Sequence, residues 1–128
     1  MIIKRVLSRD RLRTPPASGF SWIDRRFFRD GFATTLSSTE ILLYFFLCTA
    51  GDRYGLSYYS ERSIAALLKL PPQAIEAARR TLERCDLILF REPLYQVLAL
   101  PASPLPAFDS SKRDSGPQSI ADILRGSP

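Results

Sequence analysis

Ten consecutive residues, Ile41 to Ala50, read "ILLYFFLCTA" and carry no charge. They follow Ser37-Ser38-Thr39-Glu40, an S-x-x-E arrangement in which the serine hydroxyl and the glutamate carboxylate satisfy the orphan amides of a helix start reciprocally. This predicts a helix running to about Ala50, with Gly51 as its stop. Ile41, Leu42, Leu43, Tyr44, Phe45, Phe46 and Leu47 make it apolar on nearly every side. A helix apolar all round is buried all round. The run is about half the length that spans a bilayer, so it belongs to a core. In a chain of 128 residues, enough for one domain with a modest core, the rest must be arranged to cover it. The other helices do not suffice. Either the aromatic segment before it or a second subunit supplies the missing cover.

That segment, "FSWIDRRFFRDGF", sets Phe20, Trp22, Ile23, Phe27, Phe28 and Phe32 among charges and predicts a loop or short strand, then one or two helical turns ending at Gly31. Six large apolar residues in so short a span imply packing onto the body. "TPPASG", Thr14 to Gly19, breaks regular structure and separates this segment from what precedes it. Residues 1–13 carry Lys4, Arg5, Arg9, Arg11 and Arg13 against Asp10, so +4 of the chain's net +5 resides there. The body is nearly neutral and the basic character belongs to an arm, which implies a polyanionic partner, most plausibly nucleic acid. The arm has no apolar stretch of signal-peptide length and no small-residue cleavage site, so a cytoplasmic protein without membrane attachment is expected. The composition, 45% hydrophobic and 24% charged, is that of a globular domain.

Downstream, "YGLSYYSERSIAALLKL" predicts a short extended piece, Gly55 to Tyr59, and a helix capped by Ser60 with Ile64, Leu67 and Leu68 on its apolar face. Pro71 disfavours helical geometry in the residue before it, and Pro72 suits the first position of a new helix. That helix spans about Pro72 to Cys85 and buries Ile75, Ala78, Leu82 and Cys85. Leu87 to Arg91 and Leu94 to Leu100, with Glu92-Pro93 between, read as a tight β-hairpin. From Pro101 to Pro117 the composition is that of a linker, and "QSIADILRG" then offers Ile120, Ile123 and Leu124 as a short amphipathic docking segment. The chain thus divides into a basic arm and linker (1–19), a folded domain with an aromatic extension (20–100) and a Pro/Ser-rich tail (101–128).

The order helix, short strand, helix, turn, helix, hairpin, from Leu36 to Leu100, resembles a winged helix-turn-helix domain. The most specific stretch is "YSERSIAALLKLPPQAIEAARRTLERCDLILF". It is similar to modules of bacterial transcription regulators and plasmid or phage replication initiators, and to small winged-helix proteins of mobile elements. The resemblance implies a mainly α fold with a small β-hairpin wing, duplex DNA as partner, a possible homodimer and no cofactor. The helix after the turn would lie in the major groove and present Pro72, Gln73, Ala74, Glu76, Ala77, Arg80 and Arg84. Gln73 would pair with adenine, Glu76 would accept from a cytosine amino group, and Arg80 would grip guanine or phosphate. Arg62, in the first turn of the preceding helix, would meet phosphate.

The match is incomplete in charge. From Pro71 to Asp86, Arg79, Arg80 and Arg84 are balanced by Glu76, Glu83 and Asp86, and the hairpin turn offers only Arg91 beside Glu92. Phosphate neutralisation supplies most non-specific affinity, so this unit alone should bind DNA weakly. Arg5, Arg9, Arg11 and Arg13 would compensate by entering the minor groove, with Arg25, Arg26 and Arg29 adding positive charge. The alternative is a protein-interaction module within a larger nucleoprotein complex, using the neutral helix, the aromatic segment and the tail. Catalysis is not expected. The chain has no histidine to act as a near-neutral base, no P-loop, and carboxylates spaced for ion pairs such as Glu76 with Arg79 or Arg80. Cys48 and Cys85 fit no metal-ligand spacing and are expected as buried free thiols.

Overall fold

The computed structural model describes residues 2–105. Its elements follow the expected order: α1 (Arg26–Arg29), α2 (Ser38–Ala50), β1 (Leu56–Tyr58), α3 (Glu61–Leu68), α4 (Pro72–Arg84), β2 (Ile88–Arg91) and β3 (Leu94–Val97). The extended piece before α3 joins the hairpin as a third strand, giving an antiparallel sheet ordered β1-β3-β2. Among the described residues the architecture is therefore mixed α/β, four helices with a small sheet, rather than helices carrying a bare hairpin. The segment "QSIADILRG" lies outside the described residues.

The capping box at α2 forms in full. Ser37 Oγ accepts from the Glu40 amide at 3.2 Å, and Glu40 Oε1 accepts from the Ser37 amide at 2.8 Å. Gly51 ends the helix, but in extended backbone rather than the left-handed geometry glycine usually supplies at a helix end. Its small size serves close approach instead: a Cβ there would stand 3.1 Å from the Gly55 backbone. Gly55 itself has φ +80°, and its carbonyl accepts from Val97 at 2.9 Å, which seats the end of β3 against the turn after α2.

α2 packs on α4, β1 and β3 and buries Leu43, Tyr44 and Leu47. The expectation of burial on every side is not met, since Leu42 is exposed and Ile41, Phe45 and Phe46 are only half-buried. The aromatic segment provides part of the cover. Phe27 is fully buried, stacking on Tyr44 with ring centroids 4.5 Å apart, and Phe32 is buried with it. Phe20, Trp22, Ile23 and Phe28 remain exposed, so the segment does not pack as a whole. Helical neighbours such as Phe27 and Phe28 point about 100° apart, and a single turn can direct only one of them inward.

α3 and α4 end alike. Lys69 (φ 62°) and Asp86 (φ 64°) take left-handed backbone, and the next residues, Leu70 and Leu87, donate their amides back to the Ala65 and Leu82 carbonyls at 3.0 Å. This is the Schellman pattern, and it stops α3 at Leu68, three residues before Pro71. The buried side of α3 is Ile64 and Ala65 with half-buried Leu68, whereas Leu67, expected inside, is exposed. A face turned toward Ala65 leaves Leu67 about 100° from its centre. α4 buries Ile75, Ala78 and Leu82 as expected, with Thr81 beside them, and Cys85 is buried at its end. The inner face of the sheet carries Ser57, Tyr95 and Phe90 in register. Both cysteines are free thiols, Cys85 buried and Cys48 half-buried.

Candidate nucleic-acid interface

α4 is strongly two-sided. Ile75, Ala78 and Leu82 fasten it to the core, so Gln73, Ala77, Arg80 and Arg84, spaced i, i+4, i+7, i+11, stand in one exposed row on the opposite side. Pro71 is the N-cap and makes no side-chain capping bond; Pro72 occupies the first helical position, where its missing amide hydrogen costs nothing. Glu76, half-buried at the edge of this row, accepts from Arg80 Nη2 at 2.8 Å. Arg84 Nη2 donates to Thr81 Oγ1 at 3.2 Å. The Arg80 side chain is 64% exposed within its ion pair. A surface pair of this kind contributes about 0.3–0.5 kcal/mol, so exchanging Glu76 for a phosphate or a base edge costs Arg80 little.

Arg79 behaves differently from its neighbour. Its side chain is 14% exposed, and its guanidinium donates to Glu61 of α3 at 3.3 Å and to Glu83 at 3.2 Å and lies 4.4 Å over the Phe90 ring of β2. The alternative of Arg79 pairing with Glu76 is therefore not realised. Arg79 ties α3, α4 and the hairpin together, and holds α4 at a fixed angle beneath its outward row.

The elements flanking α4 carry further exposed cations. Arg62 is exposed in the first turn of α3, and Lys69 is exposed in the turn leading into α4. Lys69 escaped the sequence reading because its outward position follows from the left-handed stop, which nothing local to a lysine announces. Tyr58 was also missed. It is exposed on the outer face of β1, in register with Leu94, which itself pairs with Arg91 of β2. Period-two alternation from buried Ser57 was the signal for it. Arg91 is exposed at the hairpin end, its Nη1 donating to the Phe90 carbonyl at 2.9 Å.

The basic residues before α2 divide in two. Arg26 is a structural clamp: it bonds Asp30 at 3.3 Å and the Pro101 and Ala102 carbonyls at 2.7 and 3.2 Å. Arg29 also pairs with Asp30, at 3.0 Å, and that guanidinium holds the Asp30 carboxyl below its ordinary range. The two share that one carboxylate, so one positive charge of the pair remains; Arg25 is exposed. Arg5, Arg9, Arg11 and Arg13 lie on an irregular arm exposed along its described length, whose Leu12 amide bonds back to the Arg9 carbonyl at 3.3 Å. The arm joins the body through residues 18–24, beside the C-terminal end of α2. Thus Gln73, Arg80 and Arg84 share one surface, with Glu76 at its edge, and the arm forms a separate cationic feature.

Among the described residues no group of three His, Cys, Asp or Glu side chains is placed to hold a metal ion, and no helix is long and apolar enough to cross a membrane. Comparison with protein-family models, curated proteins and solved structures returned no match.

Proposed function

We propose that this chain is a small DNA-binding protein of winged-helix build, with α3 and α4 as its helix-turn-helix and β2–β3 as its wing. It acts as a regulator or as an accessory factor of a mobile element or replication system. The observation that carries this reading is the exposed row Gln73–Ala77–Arg80–Arg84 on a helix whose other side is buried and tied down by Arg79. A helix presented in this way fits a major groove, with Gln73 and Arg80 reading base edges, Glu76 accepting from cytosine, and Arg62 and Arg84 on phosphates. The alanines at 74 and 77 keep the approach narrow. The exposed arm adds the charge that α4 lacks and supplies most of the sequence-independent affinity.

Arg80→Ala tests the division of labour, once a site has been selected from random duplexes. Loss of a base contact narrows the gap between cognate and random DNA by about 1–3 kcal/mol. An unchanged gap removes Arg80 from the reading surface. Exposed Phe20, Trp22 and Phe28 favour a second reading, an interaction module in a nucleoprotein complex. A stable partner that survives nuclease treatment would favour it.

A further inference from the structure

The arm carries a second kind of chemistry besides its charge. Ile2, Ile3, Val6, Leu7 and Leu12 are 53–90% exposed, so none of them packs on its own body. Four of the five fall within residues 2–7, whereas Arg9, Arg11 and Arg13 follow. A mainly apolar segment that also holds Lys4 and Arg5 is followed by a mainly basic one.

At the root of the arm lies a groove of about 1000 Å³ between residues 18–24, the C-terminal end of α2, the Gly51–Gly55 turn and residues 97–100. Phe20, Trp22, Tyr54 and Leu100 give it apolar walls, with Trp22 itself 73% exposed. Its charged lining residues are Asp24, Asp52 and Arg53. Arg53 is drawn over the Tyr54 ring at 5.0 Å, and the Asp52 carboxylate caps the Tyr54 and Leu56 amides. The groove therefore pairs an apolar share only slightly larger than its polar one with a negative excess, and the arm is apolar with a positive one.

We propose that residues 2–7 of one copy dock in this groove of a second copy, and reciprocally, to form an arm-exchanged dimer. A copy's own arm is poorly placed to do so. Ser18 and Gly19 already line the groove, so the arm would have to turn back on itself within residues 8–17. Pro15 and Pro16 hold fixed φ in the stretch next to the groove, and the two turns of residues 8–19, Leu12 amide to Arg9 carbonyl at 3.3 Å and Gly19 amide to Pro16 carbonyl at 3.0 Å, leave the arm's apolar residues exposed. A partner's arm enters without reversal, and a two-fold axis makes both contacts at once. Lys4 and Arg5 meet Asp24 and Asp52, and Ile2, Ile3, Val6 and Leu7 cover the aromatic walls. Arg9, Arg11 and Arg13 stay outside the groove and remain available to a polyanion.

Trp22 is the chain's single tryptophan, which makes the proposal directly readable. Without DNA, the full chain should sediment as a dimer, and dilution should shift its emission to the red as Trp22 becomes wet. The variant lacking residues 1–13 should sediment as a monomer with red emission at every concentration. Trp22→Ala, read by sedimentation, should weaken association by roughly tenfold or more. A second arm uses Val6→Cys with Thr49→Cys, an exposed position of the groove, in a Cys48→Ala background, and a short bismaleimide. Exchange gives a covalent dimer whose peptide map joins positions 6 and 49. A monomer with the same link means that each arm folds back on its own body and overturns the proposal. So does a dimer that persists without residues 1–13, or a full chain that remains monomeric. None of these readouts involves DNA, so the dimer and the DNA-binding reading can fail separately.

Discussion

Arg79→Ala should be among the most damaging single changes outside the apolar core, although Arg79 sits one residue from Arg80 in a run of charges. Arg79 makes two ionic hydrogen bonds, to Glu61 and Glu83, and covers the Phe90 ring. Charge-assisted bonds contribute about 1.5–3 kcal/mol each when shielded, and the ring contact about 0.5–1 kcal/mol. Two features reduce the total. The glutamates are 34% and 27% exposed, so water takes them back once the arginine is gone. Arg79 Nε is buried without a protein partner, and that cost disappears with the side chain. The net expectation is a loss of about 2–3 kcal/mol, a fall in melting temperature of roughly 10–20 °C for a domain of this size. Arg80→Ala removes one exposed pair and should change stability by no more than about 0.5 kcal/mol. Urea unfolding of both variants, followed by circular dichroism, makes the comparison. Equal midpoints for the two would refute the assignment of Arg79 as the tie between α3, α4 and the hairpin.

Other consequences concern the backbone and alkaline pH. Lys69 holds left-handed backbone at a cost of about 1–2 kcal/mol. Lys69→Gly relieves it and, after the entropy that glycine loses on folding, should stabilise by about 0.5–1 kcal/mol in the same urea assay. A loss of stability would mean that the stop after α3 is built differently. Burial pushes the Cys48 thiol up to about 11 and the Tyr95 phenol up to about 12. Because both folded values are raised, the stability they contribute is intact below the ordinary thiol value of 9.0 and is lost as pH climbs through 9–11 and then 10–12. Thermal melts across this range should show a fall whose first step disappears in Cys48→Ala. A flat profile would show that neither group is shielded from water.

The legible parts of this chain were those decided by near neighbours. The Ser37–Glu40 box and the row Ile75, Ala78, Leu82 depend on residues three or four positions apart, and both appear as expected. So does most of the outward side of α4, the complement of its buried row, although Ala74 and Glu76, expected outside, are half-buried. What could not be read depends on how elements are set against one another. Glu76 lies within helical reach of both Arg79 and Arg80. Only the packing of α4 beside α3 sends Arg79 across to Glu61 instead. Phe27 and Phe28 are chemically identical neighbours, and the stacking on Tyr44 selects one of them. The pairing of β1 with β3 joins Leu56–Tyr58 to a strand far along the chain, so a three-residue extended piece gave no sign of its partner. Arg26 and Arg29 counted as two basic residues in the sequence, but in the fold they share Asp30, which takes up one of the two charges.

The most direct measurement of the central claim is the salt dependence of binding to random-sequence duplex DNA, for the full chain and for the variant lacking residues 1–13. The arm contributes five cations against one carboxylate, all exposed. If the three outside the groove, Arg9, Arg11 and Arg13, neutralise about three phosphates, the full chain's affinity should fall with a log–log slope steeper by roughly 2–3 than the variant's. Between about 50 and 200 mM salt that difference is roughly fortyfold. Binding that is absent at low salt, or whose slope is the same with and without the arm, would contradict the account.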